Sequence, residues 1–121
     1  MNESRHISKI KSFEFAVRVV QMARYLQIEK KEYVLSKQVL RSGTSIGANI
    51  EEAQAGESRK DFKSKMSVAS KEARETLYWL RLLKETEYLE QRAADSIIHD
   101  CDELVSLLTS IVKTTALEHQ A

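Results

Sequence analysis

The stretch from Ser36 to Ala55, SKQVLRSGTSIGANIEEAQA, constrains the fold of this chain more than any other. At about 100° per residue, Leu35, Val39, Gly43, Ile46, Ile50 and Ala53 share one face of a helix, and Arg41, Ser45, Asn49 and Glu52 form a stripe on another. Neither stripe is broken, so one helix with an apolar and a polar side satisfies the whole segment, and a strand of period two does not. Gly43 and Gly47 lie one turn apart along the edge of the apolar face. Glycine inside a helix costs about 1 kcal/mol relative to alanine, and a neighbour that needs the space of the missing side chain is the economical reason for two of them. A central helix is expected.

The same period governs the rest of the chain. With Pro 0 and Gly 3 in 121 residues, there is little to interrupt it, and few runs alternate as a strand would. Phe13, Phe15, Ala16, Val17, Val19, Val20, Met22, Ala23 and Leu26 define a first helix from Lys9 or Ser12 to about Gln27. Its apolar arc exceeds half the circumference, and Arg24 falls inside that arc, so Arg24 should snorkel outward or meet a carboxylate. Ser36 is the expected N-cap of the second helix. Ser58 followed by Asp61 reads as a capping box that opens a third, with Phe62, Met66, Ala69, Ala73, Leu77 and Leu80 as its core stripe. Beside that stripe run Val68, Glu72, Glu75, Trp79 and Leu82, a mixture of carboxylates and apolar groups expected to meet another helix. Ile97, Cys101, Leu104, Leu108 and Ile111, flanked by Ile98, Val105 and Val112, mark a fourth. The expected architecture is all-α: one domain, residues 1–121, forming an antiparallel up-down-up-down four-helix bundle with helices at about 9–28, 36–56, 59–87 and 91–114. The surplus apolar surface of helices one and four predicts a homo-oligomer, expected to be ring-like.

Charge is divided unevenly. Residues 1–65 hold 13 Lys+Arg against 8 Asp+Glu, and the remainder 6 against 10. Pairing between helices explains this more simply than an anionic ligand does. No run approaches the ~18 apolar residues of a membrane span, and MNESRHISKIK lacks the apolar core of a signal peptide, so no membrane association and a cytoplasmic location are expected. Cys101, the single cysteine, sits among apolar helix positions as a buried, inert thiol.

Enzymatic readings fail on the residues. A di-metal carboxylate bundle needs Glu-x-x-His on two helices, and the one such spacing is Glu3 to His6, at an end expected to fray. His99 has Asp95 one turn before it and no matching histidine on another helix. Ser45 with His99 as nucleophile and base lacks a marked orienting acid and oxyanion hole. Gly43 and Gly47 belong to a helix, and no Gly-Lys-Ser/Thr follows them. No catalytic residue, metal ligand or cofactor site is expected.

Two constellations remain. Arg41, Ser45, Asn49 and Glu52 are either a solvated face or a hydrogen-bonded seam between helices or subunits in which Arg41 meets Glu72 or Glu75; the seam is favoured. Arg59, Lys60, Lys63 and Lys65 crowd a helix N-terminus, where cations oppose the macrodipole. They serve either solubility or contact with nucleic-acid phosphates, with Glu57 and Asp61 among them as partial neutralisers.

The run QVLRSGTSIGANIEEA resembles the signature of the four-helix-bundle proteins encoded in intervening sequences of 23S ribosomal RNA genes, matching it at Arg41, Ser45, Ile46, Asn49, Ile50 and Glu52. MSVASKEARETLYWLRLLKETEYL is similar to one branch of that family, and the likeness spans residues 9 to 114. Ala53 stands where many members have glycine, and a proline before the second helix is absent. The resemblance implies a bacterial-type bundle, often a ring of five subunits, with no established enzymatic activity. The related accessory variability determinant of diversity-generating retroelements works with a reverse transcriptase and nucleic acid. Two functions are therefore expected to compete: a non-catalytic oligomeric adaptor that holds RNA or DNA on a basic rim for a partner enzyme, and a structural or protein-interaction oligomer with no nucleic-acid contact.

Overall fold

The computed structural model describes residues 2–56 and 58–120, so Glu57 lies outside the described residues. Four helices follow in order: α1 (Asn2–Ile28), α2 (Leu35–Ala55), α3 (Arg59–Glu85) and α4 (Gln91–Gln120). Each packs on its chain neighbour and α4 closes on α1 through the thinnest seam, while α1 and α3, like α2 and α4, stand on opposite corners with no close approach of their backbones. This is an up-down-up-down bundle. Its core takes Phe15, Val19 and Leu26 from α1, Val39, Ile46 and Ile50 from α2, Met66, Ala73 and Leu80 from α3, and Cys101, Leu104 and Leu108 from α4. Fully burying each large member is worth about 1.5–3 kcal/mol.

The glycines of α2 face α1. A Cβ on Gly43 would stand 2.8 and 2.9 Å from the two methyls of Val19, and one on Gly47 would stand 3.3 Å from Ser12 Oγ and 3.4 Å from its carbonyl oxygen. The missing side chains let α1 approach α2 closely, and this compensates the helix-propensity cost of the two glycines.

The helix ends depart from the sequence reading in four places. α1 begins at Asn2 instead of Lys9 or Ser12. Its first turns are held in place: Ser8 is fully buried, Gln54 Nε2 donates to the Arg5 carbonyl at 2.8 Å, and the Arg5 guanidinium lies 4.1 Å above the Phe62 ring. Glu3 and His6 thus sit on a formed helix. Ser36 is not the N-cap of α2, because the helix already includes Leu35 and Val34 offers no side-chain cap. Glu32 does the work: Oε2 accepts from the amides of Val34 (3.1 Å) and Leu35 (2.9 Å), and Oε1 from that of Ser36 (2.7 Å). Ser36 Oγ donates back to the Glu32 carbonyl at 2.8 Å and accepts from Gln27 Nε2 at 3.2 Å, tying the connection to the end of α1. At the start of α3, Ser58 Oγ accepts from the Asp61 amide at 3.1 Å, as its spacing predicts.

α3 stops at Glu85 rather than Glu87. Tyr88 N donates to Leu83 O and Glu87 N to Lys84 O, both at 3.0 Å, with Glu87 left-handed at φ 64. That is a Schellman ending with a glutamate where glycine is usual. Glu87 is exposed, so Glu87→Gly should raise stability by about 1 kcal/mol, read from chemical denaturation. The fourth difference is α4, which runs on to Gln120.

The uneven charges are used between helices. Arg41 on α2 meets Glu72 and Glu75 on α3, and Arg18 and Lys11 on α1 meet Asp100 and Glu103 on α4. Each of these pairs joins the basic half of the chain to the acidic half.

Candidate functional site

The outer groove between α2 and α3 gathers most of the polar stripe. Arg41 Nη1 donates to Glu72 Oε2 at 3.3 Å and its Nη2 to Glu75 Oε2, while Trp79 Nε1 donates to the same Glu75 oxygen at 3.1 Å. Trp79 stands edge-on to Tyr78, with ring centroids 5.2 Å apart. The Glu72 side chain is only 12% exposed against 51% for Arg41, so the pair is half screened and contributes register more than stability. Asn49 turns inward on its own helix, its Nδ2 donating to Ser45 O at 2.8 Å and Ser45 Oγ at 3.1 Å. Both are half-buried and Glu52 is exposed. Within one molecule, then, Arg41 bridges α2 to α3, whereas Ser45 and Asn49 bond each other and Glu52 reaches no partner among the described residues. The polar bond that does cross between these helices inside the core is Thr76 Oγ1 to Ser42 Oγ, 2.8 Å and buried. It escaped the sequence reading because both residues are small and sit beside the apolar stripe.

The apolar surplus is real on α1. Ile10, Phe13, Val17 and Val20 are 46, 65, 43 and 38% exposed, and they form one stripe on the face opposite Phe15, Val19 and Leu26. Arg24 lies at the end of this stripe, exposed, with no carboxylate partner among the described residues. On α4 the expected surplus is smaller: Ile98, Val105 and Val112 are half-buried and pack against the core.

Arg59, Lys60 and Lys65 are exposed and Lys63 is half-buried, at the end of the bundle where α3 begins. Among the described residues none of the four has an ion-pair partner.

Groups that could do covalent chemistry are kept apart or occupied. Ser45 and His99 stand on α2 and α4, the diagonal pair of helices whose backbones make no close approach. Asp95 is taken by Lys84 at 2.6 Å. No cluster of three or more His, Cys, Asp or Glu able to hold a metal occurs among the described residues. Burial pushes the Cys101 thiol up to about 12, with Asp102 and Asp100 adding to the effect. Its Sγ donates to the Ala73 carbonyl at 3.4 Å, inside the core. A groove of about 410 Å³ between α1 and α4 is lined by Arg18, Met22, Tyr25, Leu89 and Ile97 among others, but its one guanidinium is already held by Asp100 and Ser96. Among the described residues no helix is long and apolar enough to cross a membrane.

These features define an up-and-down helical bundle whose distinctive surfaces are an apolar helix face, a bridged polar groove and a basic end. The chain belongs to the family of 23S rRNA-intervening sequence proteins, whose family model matches residues 6–110. It is similar to a protein of unknown function from the S23 ribosomal protein family of Bacteroides thetaiotaomicron, solved by crystallography: 53% identity, 91% of this chain and 98% of that one covered, TM-score 0.88. No curated protein matches. Neither likeness indicates a catalytic family.

Proposed function

We propose that this protein is a non-catalytic homo-oligomeric adaptor that assembles through the outer face of α1 and offers its basic ends to RNA or DNA. The exposed stripe Ile10, Phe13, Val17 and Val20 carries the reading. A continuous apolar ridge directed away from a complete core is costly to leave in water, and a second copy is the partner always present to cover it. Five subunits is the number that the family resemblance suggests.

The nucleic-acid part rests on Arg59, Lys60, Lys63 and Lys65, none of which forms an ion pair among the described residues. Assembly would repeat the cluster on every subunit, so modest phosphate contacts sum to an affinity that falls steeply with salt and depends little on sequence. Fluorescence anisotropy with labelled RNA and DNA at about 50 mM salt should show binding. Replacing Lys60 and Lys63 by Gln should weaken it for all sequences alike, flatten the salt slope and leave assembly intact. No binding by the wild-type protein there would leave the second reading, a structural or protein-interaction oligomer, in its place. A reverse transcriptase or ribosomal RNA gene next to the coding sequence would favour a partner enzyme for the adaptor.

A further inference from the structure

We infer that the connection between α1 and α2 is a single-strand binding tip, on which Tyr33 stacks with an unpaired base while Lys30, Lys31 and Lys37 meet the phosphates beside it. This rests on the nucleic-acid reading above and adds a second site, at the end of the bundle opposite Arg59, Lys60, Lys63 and Lys65.

The connection is tightly bonded, yet it displays apolar groups outward. The Glu32 carboxylate holds the amides of Val34, Leu35 and Ser36. Glu29 N donates to the Tyr25 carbonyl at 2.8 Å and Glu32 N to that of Leu26 at 3.0 Å. Tyr33 and Val34 nevertheless stand 51 and 71% exposed, and Tyr33 has no ring or hydrogen-bond partner among the described residues. An apolar pair fixed outward on an ordered turn is pre-organised for an occupant, since little ordering remains to oppose binding. Lys31 takes the left-handed position of that turn at φ 56, where glycine is conformationally easier. The chain keeps a cation there instead.

Chemistry selects the occupant. Lys30, Lys31 and Lys37 are exposed and form no ion pair among the described residues. Of the two carboxylates in the connection, Glu29 is exposed, whereas Glu32 is 9% exposed and already taken by backbone amides. An occupant therefore brings negative charge and a flat apolar face, which are the phosphate and the base of a nucleotide. A duplex hides its base faces in the stack, so the tip favours single strands. A protein partner would have to cover the lysines, a residue type in which protein interfaces are depleted. A bilayer would lie across the whole end of the bundle, where the last residue of α3 and the turn after it present Glu85, Glu87 and Glu90, all exposed. These carboxylates stand on the opposite edge of that end, because the helices follow one another round a square. A strand lying along the α1–α2 edge avoids them.

Fluorescence anisotropy at about 50 mM salt, with one labelled RNA offered as a single strand and as a duplex, tests the tip. Tyr33→Ala should weaken single-strand binding at least about fivefold and leave duplex binding unchanged, while Tyr33→Phe, which keeps the ring, should bind as wild type does. Lys31→Gly relaxes the turn as it removes the charge. That variant should unfold at no lower urea concentration than wild type, while its salt slope for the single strand falls by about one. Single-strand binding by Tyr33→Ala equal to that of wild type would overturn the inference and leave the Arg59 cluster as the nucleic-acid surface. A wild type that binds neither form would overturn the inference and the nucleic-acid reading together; if it then sediments with phosphatidylserine vesicles and Tyr33→Ala does not, the tip faces a bilayer.

Discussion

Glu32→Ala should lower the stability of the bundle by about 3 kcal/mol, because one carboxylate accepts from three backbone amides at the start of α2. Hydrogen bonds to a charged group are worth about 1.5–3 kcal/mol each, and a lost cap alone costs about 0.5–2 kcal/mol. The three bonds share one acceptor, so they do not simply add. Glu32 is 9% exposed, so water replaces it poorly. Burial acts to raise the Glu32 pKa, but the amides of Leu35, Ser36 and Val34 outweigh it and hold the carboxyl below its ordinary value of 4.5. The sign of the pH dependence follows. The contribution is complete above 4.5 and is lost as pH falls through the lower folded-state value. Urea unfolding of wild type and Glu32→Gln across pH 7 to 3 should show a stability gap that narrows toward acid; a gap independent of pH would mean the cap is not ionised.

Gly43→Ala should destabilise by about 2 kcal/mol despite a helix-propensity gain of about 1 kcal/mol. The new methyl would overlap both methyls of Val19, at 2.8 and 2.9 Å. Val19 is fully buried, and its β-branched side chain has one strongly preferred rotamer in a helix, so relief requires α1 to move. The double variant Gly43→Ala with Val19→Ala should lose less than the sum of the two single changes. Thermal unfolding of the four proteins reads this coupling directly. If Gly43→Ala stabilises the protein, the close approach of α1 is not what keeps glycine there.

The fold was largely legible because each of the stripes on α2, α3 and α4 lies on a single period, and Gly43 with Gly47 marked where a neighbour had to come close. The helix ends were less so. The start of α1 depends on Gln54 and Phe62, some fifty residues away, and no local pattern encodes that. Ser36 looks like a cap by residue type, yet the acceptor came from Glu32, whose longer side chain reaches forward over a turn the sequence does not specify. The groove was legible in part: the approach of Arg41 to Glu72 and Glu75 follows from adjacent stripes, but whether Ser45 and Asn49 bond across or along their helix depends on side-chain rotamers. The surplus on α4 was overstated because Ile98, Val105 and Val112 flank its core stripe closely enough to pack against the core, whereas Ile10, Phe13, Val17 and Val20 on α1 lie on the face opposite it.

The account turns on self-assembly, and multi-angle light scattering of the wild-type protein at micromolar concentration tests it most directly. A closed oligomer, several times the 13.9 kDa chain mass and reduced to one chain by Phe13→Glu with Val17→Glu, is the predicted result. A particle of 13.9 kDa across that range would contradict it.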